Sequence, residues 1–348
     1  MQHVSITILL TAALPLAAAT ESTIFSFGRQ PGPADACGDL HFKPGAGLLL
    51  LNNRLYGTAP TGGAGESGVP GSRDGTVFSL TIPQPGETAI QKVLHNFTGN
   101  AGDGAYPCGR LIAGPHSVLY GTTFSGRANN LGTVFSLSHE AGESSWSEKI
   151  LYSFQGGTDG ASPAGGLAID AAGNLYGATS SGGIINNGTV FMLSPPATGQ
   201  GEWTETVLYR FGGGSDGSVP GGDLLLDNST GALFGTTQGG GVSPLNDDCC
   251  GVVFFLWQEI QGSPQYTFKV LHQFTNGADG ATPLANLFED TSRAFWGTTM
   301  AGSANSLGTV FKLAPDRKPL TTDGTGALYG TTGAGGSAGA GTVFKLTP

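Results

Sequence analysis

The chain has 348 residues, of which 60 are glycine and 20 are proline, and its formal net charge is −10 with only 11% charged residues. An acidic chain with scattered lysines lacks the basic patch that binds nucleic acids or anionic lipids, so we expect neither partner. Glycines recur between apolar runs and helical periodicity is absent, which predicts an all-β fold rather than disorder.

The first element is an apolar stretch from Val4 to Leu14 followed by Ala17, Ala18 and Ala19, the pattern of a secretory signal peptide. We therefore expect residues 1–19 to be removed and residues 20–348 to form a single domain, secreted to the extracellular space or periplasm. The alternative is that the stretch forms a buried first strand. No second apolar run is long enough to cross a bilayer, so no membrane span is expected.

The four cysteines are typical of an oxidising compartment. Cys37 and Cys108 each precede Gly-x-Leu at similar points of successive repeats, which predicts a disulfide between neighbouring units. Cys249 and Cys250 are adjacent, and a disulfide between them would close a small strained ring. The alternative for this second pair is two unlinked thiols.

A phrase of the type LYGTT occurs six times, and a phrase of the type GTVF follows each copy after a glycine-rich stretch. A third phrase, VLYSF, occurs four times. Such self-similarity indicates stacked supersecondary units. The first phrase contains Tyr56, Tyr120, Tyr176, Phe234, Trp296 and Tyr329; the second ends at Phe78, Phe135, Phe191, Phe254, Phe311 and Phe344; the third ends at Phe97, Phe154, Phe211 and Phe274.

The third unit contains four short strand-like runs, at 166–170, 175–180, 189–194 and 205–211. Each run is rich in β-branched and aromatic residues and is bounded by turn residues. Four-stranded sheets repeated around an axis make a β-propeller. We predict six blades, mostly of four antiparallel strands, with five or seven as alternatives. Residues 22–27 are expected to close the last blade, and blade five, which lacks a VLYSF phrase, is expected to have three strands or to be distorted.

Together with DGAxPxxGL and DxxGNLYG, these phrases resemble the GloVer tandem repeats of exported bacterial proteins. The resemblance covers nearly all of residues 22–348. It implies export and a repeat architecture. Because that family has no established catalytic activity, the resemblance implies no chemistry.

Catalytic and cofactor motifs are weak in this sequence. Gly-x-Ser-x-Gly patterns surround Ser215 and Ser337, but both lie in glycine-rich loops with no helix to follow them. We predict no catalytic residue, no cofactor and no metal site. His95 and His272 share a repeat position that is tyrosine elsewhere, which is more typical of a half-exposed strand site than of a metal ligand.

Four recurrent acids, Asp103, Asp159, Asp216 and Asp279, each begin a DGxxP segment that links one blade to the next. The principal interpretation is a turn in which the carboxylate binds backbone amides. The alternative is a ring of oxygen ligands on one face, able to bind a hard cation or sugar hydroxyls.

One side of the propeller, which we name the loop face, should gather these DGxxP segments and the variable loops between the second and third strands. Variable loops on a rigid scaffold commonly carry binding sites. The candidate ligand-binding residues on this face are Asp103, Asp159, Asp216, Asp279, Asn186, Asn187, Asp247 and Asp248.

Two functions follow from this interpretation. The preferred one is an exported, monomeric, non-enzymatic propeller that binds a glycan or a surface protein through its loop face. The alternative is an enzyme, a lyase or a quinone-dependent dehydrogenase, that uses the central funnel. The inner strands GLAID, DLLLD and NLFED supply few catalytic groups near the axis, which favours the first.

Overall fold

The computed structural model describes residues 47–61, 74–84, 87–100, 102–126, 129–139, 145–197, 199, 201–241, 250–258, 265–284, 286–303, 307–313, 328–332 and 342–346. The regular elements among these residues are β-strands and two single-turn 3-10 helices, Pro115–Ser117 and Gly214–Asp216. Within them no helix has the length and apolar character needed to cross a membrane. The predicted signal peptide, the closing strand 22–27 and Cys37 lie outside the described residues and stay predictions.

Five antiparallel sheets follow one another along the chain, and each is one blade of a β-propeller. Blade one contains β1 (Leu49–Leu51), β2 (Arg54–Ala59), β3 (Thr76–Thr81) and β4 (Gln91–Asn96). Blade two and its entry segment contain β5 (Gly104–Ala105), β6 (Ile112–Ala113), β7 (Leu119–Thr123), β8 (Ser125–Gly126), β9 (Thr133–Ser138) and β10 (Ser147–Ser153). Blade three and its entry segment contain β11 (Gly160–Ala161), β12 (Ala168–Ile169), β13 (Leu175–Thr179), β14 (Ser181–Gly182), β15 (Thr189–Ser194) and β16 (Thr204–Arg210).

The later part of the chain repeats this arrangement with fewer strands. Blade four contains β17 (Ser218–Pro220), β18 (Leu225–Asp227), β19 (Ala232–Gly239), β20 (Val252–Trp257) and β21 (Thr267–Gln273). Blade five contains β22 (Ala281–Pro283), β23 (Phe288–Glu289), β24 (Phe295–Ala301) and β25 (Val310–Leu313). A separate hairpin follows, β26 (Leu328–Thr332) and β27 (Thr342–Leu346).

The prediction of six blades is wrong, because the described residues form five. Among the described residues, the sixth LYGTT and GTVF phrases form the two-stranded sheet of β26 and β27. These phrases supply the two central strands of a blade, so counting them overestimates the number of complete blades. In the described part of the chain, β23, β24 and β25 of blade five pair in chain order and the entry strand β22 pairs with β24. Residues 314–327 lie outside that part, so three strands for blade five stay a prediction.

The third strand of a blade is buried on both faces because neighbouring blades pack against it. In β9, Thr133, Val134 and Phe135 are fully buried in succession, so the strand does not alternate between apolar and polar residues. Phe135 lies directly opposite Gly121 of β7, and a Cβ atom at Gly121 would approach the ring to 2.6 Å. The glycine of LYGTT is therefore required by the phenylalanine of GTVF.

The core consists of clusters between consecutive blades rather than a single centre. Each VLYSF phenylalanine packs edge-to-face on the GTVF phenylalanine of the next blade, as Phe154 does on Phe191, with 5.1 Å between ring centroids and 67° between planes. The same contact recurs in the pairs Phe97–Phe135, Phe211–Phe254 and Phe274–Phe311. One repeated aromatic contact therefore holds each blade to the next.

Candidate functional site

The DGxxP segments and the loops between the second and third strands lie side by side, as the topology predicts. In blade three, β11 pairs with β14, and the N–H of Gly183 donates to the carbonyl of Asp159 at 2.8 Å. Equivalent ribbons join β5 to β8, β17 to β19 and β22 to β24. These ribbons form the described part of the loop face.

Each of the four predicted aspartates closes its own loop. Asp159 accepts the N–H of Gln155 at 2.8 Å through one carboxylate oxygen and the N–H of Gly160 at 2.6 Å through the other. Asp103, Asp216 and Asp279 accept the equivalent first bond from Thr98, Gly212 and Thr275. These are the bonds expected of the turn interpretation, and a ligand-binding role for the aspartates stays a prediction.

A β-bulge in the fourth strand brings a histidine or tyrosine to each aspartate. In β16 the register shifts at Leu208, and the hydroxyl of Tyr209 then donates to Asp216 at 2.8 Å. The equivalent pairs are Tyr152–Asp159 at 3.0 Å, His95–Asp103 at 3.4 Å and His272–Asp279 at 3.2 Å. The same bulge occurs in the fourth strand of blades one to four.

Between blades one and two, Glu148 of β10 lies beside the His95–Asp103 pair. One possible metal-ligand atom from each of His95, Asp103 and Glu148 lies within 4.8 Å of the other two. We name this group the first-interface site; it lines an open cleft of about 640 Å³. Burial opposes ionisation of Asp103, but hydrogen bonds from His95 and Thr98 outweigh it and hold the pKa of Asp103 below its ordinary value.

The next interface has the same arrangement with tyrosine in place of histidine. Glu205 of β16 lies beside Tyr152 and Asp159; burial, and then the charge of Asp159, raise the pKa of Glu205 to about 7. The Oε1 atom of Glu205 is buried without a hydrogen-bond partner in the part of the chain that the structure describes. We name this group the second-interface site.

At the third interface the acid is replaced by an aromatic residue. Phe268 of β21 stacks on Tyr209 with 4.0 Å between ring centroids and 7° between planes. The repeat therefore builds the same framework at successive interfaces and changes its chemistry from His–Asp–Glu through Tyr–Asp–Glu to Tyr–Asp–Phe.

A second polar group lies where the blades converge. Asp223 of blade four accepts bonds from the Arg110 Nε atom at 3.3 Å and the Asn286 amide at 2.7 Å, and its other oxygen accepts the N–H of Gly166 at 2.5 Å. Arg110, Asp223 and Asn286 share one repeat position, and their contacts join blades two, four and five. Burial raises the pKa of Asp223.

The remaining predicted residues lie apart from these groups. Asn186 accepts the N–H of Gly182 at 2.8 Å, and the carbonyl of Asn187 accepts the N–H of Val219 at 2.9 Å, so both have local or blade-linking bonds. Asp247 and Asp248 lie outside the described residues.

The cysteine pairings also stay predictions. Cys108 and Cys250 are buried, and neither is a free thiol. Their predicted partners, Cys37 and Cys249, lie outside the described part of the chain.

Sequence reasoning missed Glu148 and Glu205. The two residues share a repeat position, six before the last residue of the VLYSF phrase, and that repetition is the available signal. It did not show that this position reaches the aspartate of the DGxxP segment at the entry to its own blade. Arg110, Asp223 and Asn286 were missed for the same reason, because contacts between blades are not visible along one repeat.

These observations define the class: the chain is a β-propeller repeat protein. The sequence profile of the Gloeobacter/Verrucomicrobia repeat matches residues 33–254, and the chain belongs to that family. The resemblance to the GloVer repeats is therefore confirmed.

Other comparisons are more distant. No curated protein sequence matches the chain significantly. Similar solved structures include a polysaccharide lyase of family PL25, an ulvan lyase bound to -[GlcA(1-4)Rha3S]-, at 11% identity and a TM-score of 0.41, covering 72% of this chain and 65% of that one. A bifunctional GH43-CE protein of Bacteroides eggerthii has 14% identity and a TM-score of 0.38, covering 76% of this chain and 32% of that one. The chain thus spans less than two thirds of either.

Proposed function

We propose that the chain is an exported, non-enzymatic propeller that binds a glycan in the cleft between blades one and two. The observation that carries the proposal is the cleft itself, whose volume of about 640 Å³ falls in the range of small-ligand pockets, roughly 300–1,000 Å³. It lies beside a DGxxP loop, at the face where the scaffold holds its variable loops.

The polar lining of the cleft suits a polyhydroxylated ligand. Asn96, Thr98, Asn100, Asp103 and Glu148 supply amide, hydroxyl and carboxylate groups around it. Sugar hydroxyls donate to carboxylates and accept from amides, so such a set pairs with neighbouring hydroxyls of one ring. Two carboxylates on a chain of net charge −10 favour a neutral or amino sugar over a uronate or sulfated one.

The group near the axis supports binding rather than catalysis. A general acid or base must be able to exchange a proton with a substrate. Both carboxylate oxygens of Asp223 instead accept bonds from Arg110, Asn286 and the backbone of Gly166. These contacts tie non-adjacent blades together, which is a structural task.

The test is a glycan array with the purified protein, followed by calorimetry on the sugars retained. Glu148→Gln should weaken binding of a neutral glycan at least tenfold, because it removes an acceptor that lines the cleft. Glu205→Gln, the same change at the second-interface site, should leave affinity unchanged. An empty array, a surface protein as the sole partner, or equal affinity in both variants would refute the proposal, and release of sugar products would favour the enzyme alternative.

A further inference from the structure

We propose that His95, Asp103 and Glu148, the first-interface site, bind a divalent transition-metal ion, with zinc preferred. The sequence alone predicts no metal site, because the repeat position of His95 is tyrosine in two other blades. The inference goes beyond glycan binding and does not require it.

The three side chains supply ligand atoms of the kinds that zinc binds. One imidazole nitrogen and two carboxylate oxygens are ligands that zinc takes at about 2.0–2.2 Å. A site rich in carboxylates alone would suit calcium or magnesium, whereas the imidazole shifts preference toward zinc and its neighbours. Three protein ligands leave one position of a tetrahedral ion open to the cleft.

The distances between the three ligand atoms are close to those around a tetrahedral zinc ion. Ligand atoms of a tetrahedral zinc ion lie about 3.3 Å apart when the bonds are about 2.0 Å. His95 Nε2 and Asp103 Oδ1 are already 3.4 Å apart, and Glu148 lies within 4.8 Å of both. A shift of the flexible Glu148 side chain by no more than about 1.5 Å completes the set.

Two of the three ligands are held in place before any ion binds. The second oxygen of Asp103 accepts the N–H of Thr98 at 2.8 Å and its hydroxyl at 2.9 Å. The ring of His95 packs edge-on against the buried Phe97, with 4.7 Å between centroids. Such preorganisation lowers the entropic cost of binding.

The repeat shows why this interface differs from its neighbour. Two carboxylates placed together in a half-buried group repel each other, and the repulsion is relieved by a proton or by a cation. At the second-interface site the third residue is Tyr152, which lacks the imidazole nitrogen, and burial and the charge of Asp159 raise the pKa of Glu205 to about 7. At the first-interface site the imidazole of His95 provides a metal ligand in the same place.

The same repetition provides matched variants. His95→Tyr converts the first-interface site into the residue set of the second, and tyrosine at this position already bonds the aspartate in two blades. Tyr152→His makes the reverse conversion. His272→Tyr is the control, because it changes an equivalent histidine that has no third ligand among the described residues.

The experiment is a zinc titration by calorimetry of the untagged full-length protein after chelation, without sugar. The His95→Tyr protein should bind one zinc ion fewer than the wild type, and the Tyr152→His protein should bind one more. The Glu148→Gln protein should bind zinc at least tenfold more weakly at the first-interface site. His272→Tyr should match the wild type, and melting temperature should rise with zinc in the wild type but not in His95→Tyr.

Folded His95→Tyr and Glu148→Gln proteins with wild-type zinc stoichiometry and affinity would overturn the proposal, as would a wild type that binds no zinc at 1 mM. Should His95→Tyr fail to fold by circular dichroism, Glu148→Gln alone decides. The titration contains no sugar, so an empty glycan array would not change the zinc result. A failed zinc titration would likewise leave a positive glycan array unaffected.

Discussion

Replacing Glu205 with glutamine should stabilise the protein at pH 8 and change little at pH 4. Burial and the charge of Asp159 raise the pKa of Glu205 from 4.5 to about 7, while Arg210 opposes this shift. The folded state therefore holds the proton more tightly than the unfolded chain, and stability falls as pH rises from about 4.5 to 7. The shift corresponds to about 3 kcal/mol, and solvent screening of the partly exposed side chain reduces it to roughly 1–2 kcal/mol.

Glutamine keeps the shape of the side chain and cannot ionise, so it removes this penalty. Urea denaturation at both pH values measures the difference in free energy of unfolding. Glu202→Gln is the control, because it makes the same charge change at an exposed position three residues earlier. An equal gain at pH 4 and pH 8, or an equal gain in the control, would refute the role assigned to burial of Glu205.

Three further perturbations test the fold. Phe154→Ala should lower the free energy of unfolding by about 3–5 kcal/mol, because the ring is 1% exposed and packs on Phe191; a loss below about 1 kcal/mol in urea titration would contradict the inter-blade core. Asp223→Ala should lower the free energy of unfolding by about 2–3 kcal/mol, since it leaves buried donors unpaired; an unchanged urea midpoint would show that the contacts of Asp223 with Arg110 and Asn286 do not join the blades. Deleting residues 20–28 should lower the melting temperature if they pair with the last hairpin; no change would rule out the predicted closing strand.

The sequence predicted the elements that each repeat contains. The strand phrases and the aspartate turns both depend on residues close together along the chain. The blade count failed because LYGTT and GTVF are the two central strands, so the copies around Tyr329 and Phe344 can pair with each other without forming a blade.

The composition of the interface sites could not be predicted because it depends on the next blade. Glu148 is 45 residues from Asp103 along the chain (148 minus 103), and only the packing of β10 against the preceding loop brings them together. Arg110 and Asp223 are similarly distant, and they meet because the ring brings equivalent positions toward one axis. Repeat alignment finds the positions, and the ring geometry decides which of them meet.

The repeated phenylalanine contact has a consequence for how repeat proteins of this kind evolve. Each blade packs a phenylalanine edge-to-face on its successor and receives the equivalent contact from its predecessor, as at Phe97–Phe135 and Phe274–Phe311. A duplicated unit would therefore find the matching phenylalanine on both of its neighbours. Single substitutions beside each aspartate then diversify the chemistry between units.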